Sequence, residues 1–440
     1  MECHQSYSTR ILRKWFNIDE VAIEIEEMPN SNWAGNISFS DAKTLHPKSI
    51  AELQNVVKTN PWVRTRGSAH CFNTIADTTA VAVLLDQIPH DFTIDRNRMT
   101  VTANGGATYG ELATFLESEG FALHNLASLP HISIAGAVAT GSHGSGIKNG
   151  GLQSTVRSIE IINATGDLEK FTSDDDFFYV ATVGLGVFGV ITRIELAIEP
   201  TYEVAQTIYQ SLPRKLMAEN YLEIMSSGYS VSFFTTWGSA GTGDLWQKVR
   251  AAQVQSSHYF GAKAAAIKLH PIPGIDSHHC TEQLGVPGPW HTRLPHFKME
   301  FTPSAGDELQ SELFVSIADA PAVIRTLETI APEINQLLLV SEFRSVRADD
   351  FWLAGSYQRD TAAFHFTWEK TEAVYQLLPK IEALLRPFHY RPHLGKVFSA
   401  TPEYLASVFP RWKDFVAMVG KVDAAGKFSN EFTKNLLGLN

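Results

Sequence analysis

Cysteine is scarce in this chain of 440 residues, which contains three, Cys3, Cys71 and Cys280. They lie far apart in the sequence, and an odd, sparse set argues against a disulfide framework and against a zinc cluster. Such a composition suits a reducing compartment. Long apolar runs are also missing, and the basic amino-terminal stretch has no apolar segment behind it. We therefore expect a cytoplasmic protein with no membrane span and no metal site.

Positive charge is the second shortage. The 36 Lys and Arg are outnumbered by 47 Asp and Glu, which gives a formal net charge of -11. An acidic surface repels nucleic acid and anionic membrane, so we expect neither as a partner. Hydrophobic residues make up 44% of the chain and charged residues 19%, as in ordinary globular proteins, and the length predicts more than one domain.

The first two hundred residues alternate helix, strand and glycine turn. Ser49 and Glu52 form a capping-box pattern in a helix predicted over 47–59, and Thr108 and Glu111 form another in a helix that stops near Gly120. Strands are predicted at 62–65, 81–85 and 99–103, with a hairpin of 158–162 and 168–171. This is the pattern of a mixed domain of short elements.

The segment 128–151 is rich in glycine and alanine but also contains Ile132, Ile134 and Val138. A disordered linker usually lacks such apolar residues. Small residues allow a close approach of the backbone, and apolar residues anchor the segment. The composition therefore predicts an ordered loop that wraps around a ligand.

The character of the chain changes near Pro200. Alternation predicts strands at 231–236, 312–317, 337–344 and 363–368, and helical periodicity predicts helices at 321–330 and 371–385. We interpret this part as a second domain with a sheet and covering helices. The segment from Arg391 onward is expected to pack back on the first domain.

A dinucleotide fingerprint of the form G-x-G-x-x-G occurs at Gly184, Gly186 and Gly189. The motif requires a helix after it and an acidic residue about twenty positions on. The residues 190–198 alternate like a strand, and 205–208 contain no acidic residue. We therefore interpret these glycines as a tight turn that enters a strand, and reject a Rossmann fold.

The turn Arg66-Gly67-Ser68-Ala69-His70 follows a predicted strand. Its successive backbone N–H groups can form a nest for a pyrophosphate. A lone His in such a turn is usually a plain loop residue. Together with the glycine-rich segment sixty residues later, however, the turn resembles the FAD-binding domain of the vanillyl-alcohol-oxidase superfamily, in which this His bonds covalently to the flavin 8α-methyl group.

The resemblance then narrows to the alditol oxidases of that superfamily, and it covers most of residues 30–420. It is vague over 200–330. The blocks that carry it are NWAGN (32–36), RGSAHCFN (66–73), NLASLPHISIAGAVATGSHGSG (125–146), EFR (342–344), HFTW (365–368) and RPHLGK (391–396). Two positions depart from the family, which usually has Gly and Ser where this chain has Ala69 and Cys71. If residue 69 has a positive φ, Ala costs about 1 kcal/mol there.

The resemblance implies an α+β fold. A two-subdomain FAD-binding domain of the PCMH type is expected over 31–200, after an amino-terminal extension over 1–30. A substrate or cap domain, with a large mainly antiparallel sheet covered by helices, is expected over 201–390. A carboxy-terminal segment, 391–440, returns to the FAD domain.

The resemblance also implies the site residues. The expected catalytic residues are Lys396, Arg344, Glu342 and His365, and the expected substrate-binding residues are Ser128, Glu342, Arg344, Thr367 and Lys396. The expected contacts of FAD are His70 through a covalent 8α-histidyl bond, Arg66, Gly67, Ser68, Ala69, Cys71, Asn73, Ser128, Ser133, Gly136, Ala137, Ala139, Thr140, Gly141, His143, Gly144, Gly189, Val190 and His393.

The chemistry implied is hydride transfer from the terminal carbinol of an alditol such as xylitol or sorbitol to flavin, with O2 reduced to hydrogen peroxide by a monomeric enzyme. Lys396 and Arg344 would stabilise a developing alkoxide. The residue types alone leave plainer readings open: Glu342 and Arg344 as a solvated ion pair, His365 as a core residue and Lys396 as a surface lysine. An aldonolactone oxidase or dehydrogenase is the nearest rival function, and a non-enzymatic flavin-storage or carbohydrate-binding protein is a second.

Overall fold

The computed structural model describes residues 30–250, 257–299 and 306–439. The expected amino-terminal extension therefore lies outside the described residues, apart from Asn30. Within these ranges the chain has an α+β fold with three sheets of three or more strands. No helix in the described ranges is long and apolar enough to cross a membrane.

A small parallel sheet opens the fold, and its three strands are Lys43–Leu45 (β1), Val63–Thr65 (β2) and Val81–Val83 (β3), in the order β1-β3-β2. Helix α1, Ile50–Thr59, covers it with Leu53 and Val57. The Ser49 hydroxyl accepts the N–H of Glu52 at 3.2 Å, which confirms the predicted cap.

A five-stranded antiparallel sheet has the order β4-β5-β9-β7-β8. Its strands are Phe92–Asp95 (β4), Thr100–Asn104 (β5), Val156–Ile162 (β7), Leu168–Thr172 (β8) and Val190–Ala197 (β9). The two-residue strands Phe121–Ala122 (β6) and Glu199–Pro200 (β10) pair beside it. The helices of this part are Tyr109–Ser118 (α2), Ile134–Ala139 (α3) and Asp176–Thr182 (α4).

Two expectations about loops are settled here. The turn at Gly184–Gly189 does enter a strand, β9, so the rejection of a Rossmann helix is confirmed. The prediction that the glycine-rich segment forms a loop throughout is wrong, because the segment contains the short helix α3. Ile134 and Val138 of this helix are buried in the hydrophobic core of the first part of the chain. Their backbone N–H and C=O groups are buried with them, and a helical turn provides the hydrogen bonds that these groups need.

The largest sheet has ten strands, all antiparallel. They are Glu203–Pro213 (β11), Ser230–Thr235 (β12), Thr242–Arg250 (β13), His258–Tyr259 (β14), Ala262–Ala264 (β15), Gly288–Pro289 (β16), Glu308–Ser316 (β17), Leu338–Val346 (β18), Thr361–Glu369 (β19) and Arg391–Pro392 (β20). Four of these strands, β12, β17, β18 and β19, had been predicted, although β17 begins earlier than expected. The long strands β11 and β13 and the short strands β14, β15, β16 and β20 had not.

Helices cover one face of that sheet. They are Arg214–Glu219 (α5), Tyr221–Met225 (α6), Ala320–Glu328 (α7), Ala331–Leu337 (α8) and Glu372–Leu385 (α9). Phe343, Phe364 and Phe366 point toward the helices and form one hydrophobic core with them. Because side chains alternate along a strand, residues 342, 344, 365 and 367 face the other way.

The carboxy-terminal helices Pro402–Val408 (α10), Trp412–Val422 (α11) and Glu431–Leu437 (α12) pack on the first part of the chain. The rings of Phe415 and Phe188 lie 5.1 Å apart, and the Arg64 guanidinium donates to the carbonyl of Phe428 at 2.7 Å. Single 3-10 turns lie at Thr74–Ala76, Leu152–Thr155, Ser277–His279, Trp290–Thr292, Ile317–Asp319 and Arg386–Phe388.

Candidate active site

A cavity of about 590 Å³ lies between the uncovered face of the ten-stranded sheet and the glycine-rich loops of the first part of the chain. Most of the expected site residues line it. They are Arg66, Gly67, Ser68, Ala69, His70, Cys71, Asn73, Ser128, Ser133, Gly136, Ala137, Ala139, Thr140, His143, Gly189, Glu342, Arg344, His365, Thr367, His393 and Lys396.

Three expected cofactor contacts, Gly141, Gly144 and Val190, are not among the described residues that line the cavity. Val190 is the first residue of β9 and is buried in a hydrophobic core. A side chain on Gly144 would meet the carbonyl of Leu126 at 2.5 Å, and Gly141 has a φ of +68°. Close packing and backbone conformation therefore explain these glycines without a ligand.

The strand register assembles the polar wall of the cavity. Glu312 on β17 is paired with His365 on β19, and His365 with Glu342 on β18. These three side chains therefore form a row across the sheet on the face that lacks helices. The next row contains Gln310 and Thr367.

Glu312 lies at the centre of the charged groups. Its Oε1 is 2.5 Å from Nη2 of Arg344, and its Oε2 is 2.8 Å from Nζ of Lys396. Nε2 of His143, from the glycine-rich loop, lies 3.3 Å from Oε1. Burial opposes ionisation of Glu312, but Arg344 and Lys396 outweigh it and hold its pKa well below the usual range.

Lys396 is not a surface lysine, because its side chain lines the cavity. Its Nζ donates to Nδ1 of His365 at 2.8 Å, and Nε2 of His365 lies 3.0 Å from the hydroxyl of Thr367. Since an ammonium can only donate, Nδ1 of His365 accepts and its proton is on Nε2. Burial, together with Lys396, lowers the pKa of His365 to about 4, so the ring is neutral at physiological pH. Burial also lowers the pKa of Lys396.

Glu342 and Arg344 are not a solvated ion pair, since they are 4% and 5% exposed. Nε of Arg344 is 3.6 Å from Oε2 of Glu342, and Nε2 of His296 is 3.0 Å from Oε1. Burial disfavours the Glu342 carboxylate, but Arg344 and then His296 compensate and lower its pKa. The carbonyl of Ser128 accepts the backbone N–H of His296 at 3.2 Å, so the glycine-rich loop is tied to this wall.

His70 also lines the cavity. Its ring is 4.4 Å from that of Trp33 and 5.2 Å from that of His131. Its Nδ1 is buried and has no hydrogen-bond partner among the described residues. Burial, then the charges of His131 and Lys396, lower the pKa of His70 to about 3. The imidazole is therefore neutral, and a neutral imidazole carries a nucleophilic lone pair.

The two motif blocks that carry the resemblance are in contact. The hydroxyl of Ser68 accepts the N–H of Ser133 at 3.2 Å. A side chain on Gly67 would lie 2.2 Å from the Ser133 hydroxyl and would force that hydroxyl to move. Arg66 pairs with Asp41 at 2.7 Å and keeps a buried Nε with no partner in the described ranges. A cradle of backbone with a cation suits a pyrophosphate, so these residues fit FAD.

Ala69 has a φ of 52°, in the left-handed region that favours glycine. The backbone at Ala69 is therefore strained, whereas the glycine usual in the family would adopt this conformation without strain. The thiol of Cys71 is buried, which raises its pKa to about 11 and keeps it protonated. Asn73 donates to the carbonyls of Leu394 and Lys396, at 2.8 and 2.9 Å, and so positions the segment that carries Lys396.

Sequence reasoning missed Glu312 and His296. Glu312 could have been found, because a strand was predicted to start at this residue. Side chains alternate between the two faces of a strand, so a charged residue in it is a candidate for the polar face of the sheet. No local signal marked His296, which lies in the stretch where the resemblance is vague. Among the described residues, no three His, Cys, Asp or Glu side chains are arranged to hold a metal.

Comparisons with known proteins identify relatives of this chain. A family described as an FAD binding domain matches residues 42–172, and a family described as D-arabinono-1,4-lactone oxidase matches residues 308–436. The alditol oxidase of a Streptomyces species is 42% identical over 92% of this chain and 98% of its own length. The L-gulono-1,4-lactone dehydrogenase of Mycobacterium tuberculosis is 23% identical over 93% and 99%.

Among solved structures, cholesterol oxidase from B. sterolicum superimposes with a TM-score of 0.77. The match covers 92% of this chain and 96% of that one, at 14% identity. A likeness at this identity speaks for the fold alone. The cholesterol oxidase therefore supports a two-part FAD-binding architecture and adds nothing about the substrate.

Proposed function

This chain belongs to the alditol oxidase family of FAD-dependent oxidoreductases, and from that premise we propose that it oxidises the terminal primary alcohol of alditols such as xylitol and sorbitol to the aldose. The observation that carries the proposal is the cation pair in the cavity. Arg344 and Lys396 are both held by the buried carboxylate of Glu312. A buried pair of cations is what a developing alkoxide requires.

FAD is the cofactor of this family, and when bound it accepts the carbinol hydride and passes two electrons to O2 as hydrogen peroxide. We take residues 31–200 as the domain that binds it and 201–390 as the substrate domain. Arg66 and the turn that follows would hold the pyrophosphate. His70, with its free Nδ1, would hold the flavin through an 8α-histidyl bond.

Residues of the protein would accept the proton that the substrate hydroxyl loses. Nζ of Lys396 donates to the unprotonated Nδ1 of His365. When the substrate hydroxyl is deprotonated, Lys396 can pass its proton to Nδ1 and receive the hydroxyl proton in exchange. Arg344 stays charged throughout and stabilises the oxygen. His365, neutral beforehand, ends the step as the proton carrier.

The remaining hydroxyls of the polyol would be bound by Glu342, Thr367 and Ser128. In the wall formed by Arg344, Lys396, Glu312 and Glu342 the two positive charges balance the two negative ones. A wall with no net charge suits an uncharged substrate, and hydrogen-bonding groups reject analogues that lack the matching hydroxyls. The proposal therefore favours neutral polyols.

We also propose that the enzyme is a cytoplasmic monomer with no nucleic-acid or membrane partner. The net charge of -11 supports this, because an acidic protein is repelled by nucleic acid and anionic lipid. Size-exclusion chromatography with light scattering tests the monomer. A stable dimer at micromolar concentration would contradict it.

Anaerobic stopped-flow absorbance of the purified holoenzyme tests the function. The flavin is expected to bleach with xylitol and to regain its colour in air with one hydrogen peroxide formed per cycle. Colour that stays with the acid-precipitated protein would support the covalent bond. Bleaching by gulono- or galactono-lactone and not by xylitol would instead identify an aldonolactone oxidase. The match of residues 308–436 to the D-arabinono-1,4-lactone oxidase family is the reason for testing this alternative. No bleaching by either class would favour a flavin-storage protein.

A further inference from the structure

Lys248 on β13 is a lysine that the mechanism above does not use, and it is only 2% exposed. Its Nζ donates to the carbonyl of Leu294, to the carbonyl of Pro295 at 3.4 Å and to Nδ1 of His296 at 3.4 Å. All three acceptors are electrically neutral. A buried lysine with such partners is expensive to maintain, so the arrangement asks for an explanation.

Either form of the amine can satisfy the acceptors around Lys248. The carbonyl of Pro295 also accepts from the hydroxyl of Thr281, at 2.8 Å, so two donors on Lys248 are enough for the carbonyl of Leu294 and Nδ1 of His296. Burial lowers the pKa of Lys248 to about 7, and the carboxylate of Glu342 opposes that shift. In both forms the amine can donate to His296.

His296 connects this lysine to the cavity. Because the carboxylate of Glu342 can only accept, the ring proton lies on Nε2, which donates to Oε1 at 3.0 Å, and Nδ1 is left to accept from Lys248. The ring of His296 packs edge-on against Phe234, at 5.2 Å, and Trp246, at 5.5 Å, which restricts its rotation. Burial, and then the charge of Lys248, lower the pKa of His296 to about 4, so the ring is neutral at physiological pH.

We propose that Lys248 and His296 form a positioning relay that fixes the carboxylate of Glu342 for recognition of the polyol. With Oε1 engaged by His296, Oε2 is the oxygen left for a substrate hydroxyl beside Arg344. The relay thus acts on substrate recognition, away from the atoms that exchange the hydride and proton. It deepens the proposed alditol oxidation and rests on it.

The test separates binding from chemistry. Lys248→Met removes the N–H donors of the amine and keeps most of the volume of the side chain. Anaerobic stopped-flow at varied xylitol concentration gives a dissociation constant and a limiting rate of flavin reduction. The dissociation constant is expected to rise about tenfold, the size of one lost charge-assisted hydrogen bond, with the limiting rate within about threefold of wild type.

A double-mutant cycle identifies the route of the effect. If the relay acts through Glu342, Lys248→Met has little further effect in a Glu342→Gln background, so the two changes are strongly non-additive. Additive effects on the dissociation constant would overturn the relay. So would a fall in the limiting rate at an unchanged dissociation constant. Lys268→Met is the matched control, because Lys268 is exposed and pairs with Glu282 at 2.8 Å; it should leave both constants unchanged.

Two variants of His296 test the relay independently, in case Lys248→Met does not fold. The amide of His296→Gln can still donate to Glu342 and accept from Lys248, whereas His296→Leu can do neither. Rescue is expected, with weak binding of xylitol in His296→Leu and near wild-type binding in His296→Gln. Equal weakening in both would overturn the relay. If xylitol bleaches the wild-type protein but these contrasts fail, the relay alone is wrong; if neither xylitol nor an aldonolactone bleaches the wild type, the proposed function is wrong and the relay falls with it.

Discussion

The carboxylate of Glu312 and the ammonium of Lys396 lie 2.8 Å apart, although 84 positions separate them in the chain. Glu312 belongs to a strand of the ten-stranded sheet, and Lys396 to the segment that follows β20. Their ion pair therefore joins the substrate wall to the returning carboxy-terminal part. It also brings Lys396 to His365, with which we propose it exchanges a proton.

Glu312→Gln should reduce the limiting rate of flavin reduction about a hundredfold or more, because Arg344 and Lys396 lose the carboxylate that keeps both cations in place. The protein should also be less stable, by about 3 to 5 kcal/mol, since buried charges are left unpaired. Stopped-flow absorbance and thermal unfolding measure the two effects. Glu308→Gln on the same strand is the control. Burial raises the pKa of Glu308, and neither Arg344 nor Lys396 forms an ion pair with this carboxyl among the described residues, so the rate should stay within about threefold. An equal loss of the limiting rate in Glu312→Gln and Glu308→Gln would contradict the role of Glu312 in holding the two cations.

His70→Ala should still bind some FAD but release it when the protein is precipitated with acid. Turnover should fall, because attachment to the ring withdraws electron density from the flavin and favours hydride acceptance. The colour of the acid pellet and the intact mass of the protein measure the bond directly. His131→Ala is the matched control, since its ring lies 5.2 Å from that of His70; that variant should keep the colour with the protein. Loss of colour in His131→Ala and retention in His70→Ala would reverse the assignment.

Ala69→Gly should stabilise the protein by about 1 kcal/mol, because the φ of 52° at this position strains any residue with a Cβ. A small rise in the thermal midpoint, about 1 to 2 °C for a chain of this length, is the measurement. Ala406→Gly in α10 gives the opposite case, since glycine in a helix costs about 1 kcal/mol. A destabilised Ala69→Gly variant would mean that the unfolded chain's added freedom outweighs the relief of strain.

The local elements of the fold were largely predictable from the sequence. The caps at Ser49 and Thr108 and the alternation over β18 and β19 depend on neighbours in the chain, and their helices and strands form as expected. Motif resemblance likewise identified most of the cavity wall. These signals are short-range, or are carried by a recognisable block.

Long-range pairs explain what was missed. His296 meets Glu342 across 46 positions and Lys248 across 48, and nothing in the stretch around either residue records that contact. The order of the ten strands is also set by packing between distant segments, so β11 and β13 could not be placed from their own residues. The short helix α3 was overlooked because glycine and alanine are typical of loops as well as of tight helical turns.

The pH dependence of the limiting rate of flavin reduction follows from Lys396 and His365. The site requires Lys396 as an ammonium and His365 as a neutral acceptor. Burial lowers the pKa of Lys396, so the ammonium is lost as pH rises through a value below that of an ordinary lysine, and the rate should fall on the alkaline side there. The pKa of His365 is about 4, so its Nδ1 becomes protonated as pH falls through that value, and the rate should fall on the acid side.

The expected profile is therefore a broad plateau that begins near pH 4 and ends before an ordinary lysine would titrate. Lys396→Arg tests the alkaline limb, because a guanidinium stays charged to much higher pH. That variant should be slower, since the geometry at His365 changes, but its rate should no longer fall at alkaline pH. An alkaline limb that persists unchanged in Lys396→Arg would mean that another group controls it. The proton exchange between Lys396 and His365 would then have to be abandoned.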